Sequence, residues 1–396
     1  MQINKTTSDL NLVRSLLKLV TVCAQIKVVL FSIVVTRLGA VIYSMLFEVK
    51  TSAGERLSPL VSLSKLDTAF YLSASDKAWQ PILNLFTVYN FNSLSAWIDQ
   101  GPYSGPLFPW LLGATNYTGG SPYFMALGFL VLGMVGCGMW SLYLKRLGAK
   151  NLEQLIVVFY PVLIYFTLMV STDLIFSIFF GGIFIILSLY PRGSLKFFII
   201  VLVLCSICLT LRPNSLILLP ILFYYLWCSK KNFSNYSFII YGFIVVLLSL
   251  LSTIYYMPYF TRYYNDSGSW YYWGIPQEAY TVGIFGSLPY MFNLILSWLA
   301  LASSKLLYLS GLRPSYSDAA FHIVMIRASG SVFLLPGMFY LMFKGRNNEK
   351  LVSIFFLVPL FLGVSQERYL LPLCPIFMFY GARFWLETYS HLAKKL

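Results

Sequence analysis

The chain has 396 residues, of which 58% are hydrophobic and only 11% charged, with a net charge of +14 and a mean hydropathy of +0.74. A soluble globular protein carries about 25% charged residues, so this composition excludes an ordinary water-soluble fold. It predicts an all-α, polytopic transmembrane bundle forming a single domain over residues 1–396. The positive balance is read as Lys and Arg holding loops on the cytoplasmic side, not as a nucleic-acid surface.

In chain order, apolar spans are expected near 28–47, 121–143, 152–170, 173–190, 197–211, 214–228, 236–256, 327–343, 351–365 and 369–387. Basic clusters punctuate them: Lys5 to Lys27 before the first, Lys145, Arg146 and Lys150 after the second, Arg192 and Lys196 after the fourth. Lys230 and Lys231 follow the sixth, then come Lys344, Arg346 and Lys350, and finally Lys394 and Lys395. Placing all of these in the cytoplasm gives ten crossings with both termini inside. Ten of the fourteen acids, among them Asp67, Asp99, Asp173 and Glu367, then fall on the opposite face. The N-terminal apolar run lacks a small-residue cleavage pattern, so no removable signal peptide is expected.

Two places resist this scheme. Segment 286–303 is apolar enough to cross, which makes the count ten or eleven and leaves 257–326 as a second exterior region that is either re-entrant or paired with a further crossing. Arg37 falls inside the first span, so that helix runs either 28–47 or 17–36. The first exterior loop, 48–120, is long and half apolar, and Leu66, Phe70, Ile82, Leu85 and Trp97 suggest short interfacial helices. All six cysteines lie in or beside apolar spans without metal-site spacing, and Cys205 and Cys208 are read as lipid-facing packing residues.

The groups able to carry chemistry gather at the exterior ends of the spans. Asp67 is either a base that takes a proton from a substrate hydroxyl or a solvated loop acid. Asp173 opens a span, where a first-turn acid suits the helix dipole as well as it suits a site. Arg212, between Leu211 and Pro213, and Arg368, beside Glu367, either bind phosphate in a two-pronged grip or reach to lipid headgroups. The aromatic segment 257–285, which includes Tyr271, Tyr272 and Trp273, is an interfacial belt or a stacking platform for sugar rings, and Arg262 within it is a further candidate for substrate binding. No nucleotide-binding glycine loop or nucleophilic triad is present.

Taken in order, five of these segments resemble the GT-C superfamily of lipid-linked-sugar glycosyltransferases, in particular the bacterial branch related to protein O-mannosyltransferases and the aminoarabinose transferase of lipid A. Asp67 with Tyr71 resembles that family's acid-then-aromatic first loop, and Gly105-Pro106-Leu107-Phe108-Pro109 resembles its Pro-Pro-Leu-Tyr-Pro element. Phe159-Tyr160-Pro161 through Ser171-Thr172-Asp173, Leu211-Arg212-Pro213-Asn214, and Glu367-Arg368-Tyr369 with Pro372 and Pro375 resemble its later elements. Tyr103-Ser104 stands where the family often carries a Glu-Lys pair, and Asp99 is the nearest acid.

The resemblance implies an inverting transfer on the periplasmic face of a bacterial inner membrane, from a polyprenyl-phosphate sugar donor to a cell-surface glycan or glycolipid acceptor. Asp67 is then the general base and Arg212 or Arg368 holds the donor phosphate, with Tyr71, Asp99, Tyr103, Asp173, Arg262, Glu367 and Tyr369 as the remaining substrate-binding candidates. Paired arginines suffice for a leaving phosphate that is already anionic, and a divalent cation (Mg or Mn) stays open beside them. The rival readings are a polysaccharide polymerase or ligase and a lipid-linked-sugar flippase or other transporter.

Overall fold

The computed structural model describes residues 27–46, 49–50, 56–57, 107, 122–167, 172–189, 195–267, 271–313, 325, 328–363, 365 and 367–393. Helices dominate them, in the order α1 (Lys27–Leu46), α2 (Pro122–Arg146), α3 (Asn151–Val158), α4 (Pro161–Thr167), α5 (Thr172–Leu189), α6 (Leu195–Leu211), α7 (Leu218–Ser229), α8 (Asn235–Ser267), α9 (Tyr290–Leu309), α10 (Ser331–Lys344), α11 (Asn347–Leu362) and α12 (Cys374–Ala393). Two antiparallel pairs of two-residue strands complete the set, β1 (Val49–Lys50) with β2 (Arg56–Leu57), and β3 (Tyr271–Tyr272) with β4 (Ile275–Pro276).

Every predicted span overlaps helical structure, and among the described residues three helices meet both the length and the apolarity needed to cross a membrane: α2 over Leu127–Arg146, α8 over Asn235–Ile254 and α9 over Tyr290–Leu309. The α8 window is only 6% buried, and Ile239, Phe243, Leu250 and Ile254 all face outward. An uninterrupted apolar surface of this kind is unfavourable against water and natural against lipid.

Proline and buried arginine explain the main departure from the expected spans. The predicted 152–170 segment is broken into α3 and α4, because Pro161 cannot donate to the helical ladder and its ring crowds the preceding turn. The carbonyl of Val158, at the end of α3, instead accepts from Arg37 Nη1 at 2.7 Å, and Arg37 Nη2 reaches Cys137 Sγ at 3.1 Å. Arg37 is therefore buried inside α1 as a cap for a neighbouring helix, which selects 27–46 over the alternative start. Cys205 and Cys208 are fully buried, so they pack inward and not against lipid.

The core is tiled by aromatic rings on one face of α5: Phe176, Phe180 and Phe184, spaced by four residues, pack in series with tilted rings, and Phe180 meets Phe356 of α11 edge-on at 5.5 Å. At one end of the bundle Glu349 is fully buried and accepts the hydroxyls of Tyr143 at 2.6 Å and Tyr380 at 2.5 Å. Glu153 pairs with Arg383 at the same end. The opposite end holds the start of α5, the end of α6, the end of α11 and the turn that precedes α12.

Helices α10 and α12 approach backbone to backbone. A Cβ at Gly337 would overlap the carbonyl oxygen of Phe377, and one at Gly381 would overlap that of Phe333. Small residues permit this approach where apolar solvent gives no other drive for helix association. Gly337→Leu is expected to separate the pair and cost about 3 kcal/mol or more, read as loss of monodisperse protein in detergent. A well-folded variant with unchanged thermal stability would contradict this packing.

Candidate functional site

Three distant stretches of sequence meet at the second end of the bundle. Asp173 lies in the first turn of α5, and Arg212 lies one residue beyond α6. Consecutive antiparallel helices bring the start of one beside the end of the next, and the two side chains form an ion pair. The carboxylate is buried, at 4% exposure, and the guanidinium is partly buried, at 11%.

Local chemistry fixes the arginine. Pro213 excludes the helical region for the residue before it, and Arg212 is extended, at φ −150° and ψ 147°. Its carbonyl accepts both the N–H and the hydroxyl of Ser215, at the start of the short 3-10 turn Pro213–Ile217. Tyr256 of α8 holds the adjacent Leu209 carbonyl at 2.6 Å.

The third stretch is the 3-10 turn Glu367–Leu370, which precedes α12. Ser177 of α5 ties it in by donating to the Leu371 carbonyl at 3.4 Å. Two guanidinia lie over the ring of Tyr369, each 5.3 Å from its centroid: Arg212 from the α6 end and Arg368 from its own turn. Cation–π contacts of this kind contribute about 0.5–2 kcal/mol each, and they hold both forks beside one rigid ring. Asp173 ion-pairs with Arg212 inside this cluster.

Four predicted site residues, Asp173, Arg212, Arg368 and Tyr369, are thereby brought together. Glu367 opens the turn that carries two of them, and Arg262 lies on the last third of α8. Asp67, Tyr71, Asp99 and Tyr103 lie outside the described residues, as does most of the first loop. Among the described residues no group of three or more His, Cys, Asp or Glu side chains comes together, and the site's Asp173 is engaged by Arg212.

A supporting layer was not legible in the sequence. Lys305 of α9 is fully buried, donates to the carbonyls of Phe361 at 2.6 Å and Gly363 at 2.7 Å, and lies over the rings of Tyr272 and Tyr280. It closes the frayed end of α11 just before the site turn. Tyr272 is not part of an aromatic belt: it is buried and accepts the Ser365 N–H at 2.8 Å. Burial pushes its phenol upward, and burial likewise raises Tyr280 to about 12, so the latter stays a hydroxyl that also donates to Phe361. A lysine inside an apolar helix was the available signal. Lys305→Met is expected to orphan the Gly363 carbonyl and cost about 1–3 kcal/mol, seen as a lower unfolding temperature. An unchanged melt would remove Lys305 as the clasp.

Neither a family model, nor a curated protein, nor a solved structure matches this chain.

Proposed function

We propose that the protein is an integral membrane glycosyltransferase of GT-C type that moves a sugar from a polyprenyl-phosphate carrier to a glycan or glycolipid acceptor. The observation that carries this reading is the pair of guanidinia, Arg212 and Arg368, over the Tyr369 ring at the end of an apolar bundle. Its ligand must join an anionic head to an apolar tail, which a lipid-linked phosphate does. Guanidinia grip phosphate oxygens in pairs and keep their charge at any working pH.

In the proposed reaction an acceptor hydroxyl attacks the anomeric carbon from the face opposite the phosphate. The anomeric C–O bond breaks, the lipid phosphate leaves with the electron pair, and configuration inverts. Arg368 and Arg212 meet the charge that develops on the departing oxygen, and Asp67 takes the acceptor proton. The ten predicted spans read as crossings place these groups on the periplasmic side of a bacterial inner membrane. With α9 counted, the crossings are eleven. The contacts of α9 with the 271–285 segment and with the end of α11 favour its staying in the exterior region.

The test uses purified protein in nanodiscs, a panel of polyprenyl-phosphate sugars and a surface-glycan extract, read by mass spectrometry. A single-sugar increment on the acceptor with release of polyprenyl phosphate is the expected result. Long chains of added units would indicate a polymerase. Translocation of the lipid-linked sugar in liposomes without any product would indicate a transporter.

A further inference from the structure

Helix α9 is amphipathic in the inverted sense. Asn293, Ser297, Ser304 and Lys305 are buried, while Met291, Phe292, Ile295, Leu296 and Leu299 stand exposed. A helix on a water-soluble surface shows the reverse, with its polar stripe outward. No residue between Glu278 and Lys305 carries a charge, so nothing in this stretch offsets the exposed apolar face.

The chain that leads into α9 doubles back along it and uses the buried polar stripe. The Ile284 N–H donates to Ser297 Oγ at 2.9 Å, the Phe285 N–H donates to Asn293 Oδ1 at 2.8 Å, and Ser297 donates to the same Oδ1 at 3.2 Å. Gly283, at φ +76°, permits the close approach, since a Cβ there would overlap the Asn293 amide. Two donors of the loop's backbone are thereby satisfied from within, which lowers the cost of placing it against lipid.

Both ends of this hairpin return to one point. The Phe361 carbonyl, at the end of α11, accepts from the Tyr280 hydroxyl before the loop and from Lys305 Nζ near the end of α9. A segment that starts and finishes at the same end of the bundle does not cross it. Helix α9 also packs against the Glu367–Leu370 turn, which carries Arg368 and Tyr369.

We propose that α9 and the loop before it form a monotopic wedge, lying along the membrane on the Tyr369 side with the Phe292–Leu299 face against the acyl chains of that leaflet. Tyr290 and Trp298, both exposed, are the residue types that settle at such a boundary. An apolar helix face sinks about 5–10 Å past the headgroups, so the wedge fixes the turn it touches at headgroup level. A protein partner is the poorer occupant, because an interface core is ringed by polar groups and this uncharged stretch supplies no charged rim. The inference needs only that the chain is a membrane protein and does not depend on sugar transfer.

The experiment is spin-label accessibility of the full chain in nanodiscs, with labels at Phe292→Cys, Leu296→Cys and Leu299→Cys and the signal of the identically treated parent chain subtracted. Molecular oxygen concentrates in hydrocarbon and a neutral nickel chelate stays in water, so their relaxation ratio reports depth. Phe243→Cys on the outward face of α8 gives the lipid reference and the exposed Lys231→Cys the water reference. All three α9 labels are expected to favour oxygen, as Phe243→Cys does, and to report similar depths. A nickel-accessible label at any of the three, as at Lys231→Cys, would put the face in water and overturn the wedge. Labels closed to both reagents would mean that protein covers the face, which also overturns it. A ratio that climbs steadily from one end of the series to the other would mean that α9 plunges across the leaflet instead of lying along it, and the proposal would fail.

Discussion

Asp67→Asn is expected to lower sugar transfer by about 100- to 10,000-fold, the usual contribution of a positioned general base, while leaving folding and donor binding intact. Asn has nearly the shape of Asp and cannot accept the acceptor proton. The lipid phosphate, held by arginines, does not depend on it. Steady-state transfer and donor affinity, measured on one nanodisc preparation, separate these effects: kcat falls and the affinity for polyprenyl phosphate does not. Full activity in the variant would remove Asp67 as the base and turn attention to Asp99, the acid nearest Tyr103-Ser104.

The second large effect concerns the buried ion pair. Arg212→Gln leaves the carboxylate of Asp173, which is 4% exposed, without its cation. An uncompensated buried charge costs about 3–5 kcal/mol, so the variant should unfold at lower temperature and lose transfer. Asp173→Asn combined with Arg212→Gln removes the orphaned charge and is expected to recover most of the stability. Transfer should stay lost, because the phosphate grip is still missing. If the double variant regains transfer along with stability, Arg212 serves the fold alone. If Arg212→Gln is as stable as wild type, the pair is not buried as described.

The positions of the helices were legible because apolar runs here end at charge, proline or glycine. The expected 121–143 and 173–190 correspond to Pro122–Arg146 and Thr172–Leu189, and Lys145-Arg146 marks a helix end that the sequence displays openly. The break between α3 and α4 was also signalled, by Pro161, but hydropathy averages across it. Arg37 and Lys305 show where an apolar pattern misleads. Each sits in a helix whose neighbours suggest lipid, yet each is fully buried and serves a carbonyl at the broken or frayed end of another helix. Their partners lie 121 and 56 residues away, beyond any local signal.

The site was legible in part for a related reason. Arg212 next to Pro213, and Arg368 next to Glu367, stand out because charge at the end of an apolar span is costly unless it is used. Their convergence on Tyr369 depends on the antiparallel packing of α5 and α6 and on the Ser177–Leu371 tie, which sequence spacing does not encode. Tyr272 fell in the segment read as an interfacial belt or sugar platform, and its burial beside Lys305 became visible only in three dimensions.

In the proposed reaction the end of the bundle carrying Tyr369 receives the lipid phosphate. The most direct measurement is photocrosslinking with a polyprenyl phosphate that bears a diazirine close to its phosphate, followed by peptide mapping. Adducts are expected on the peptides around 209–217 and 367–373, suppressed by unlabelled polyprenyl phosphate and absent in Arg368→Gln. Adducts confined to the opposite end, around Glu153 and Glu349, or labelling that Arg368→Gln leaves unchanged, would contradict it.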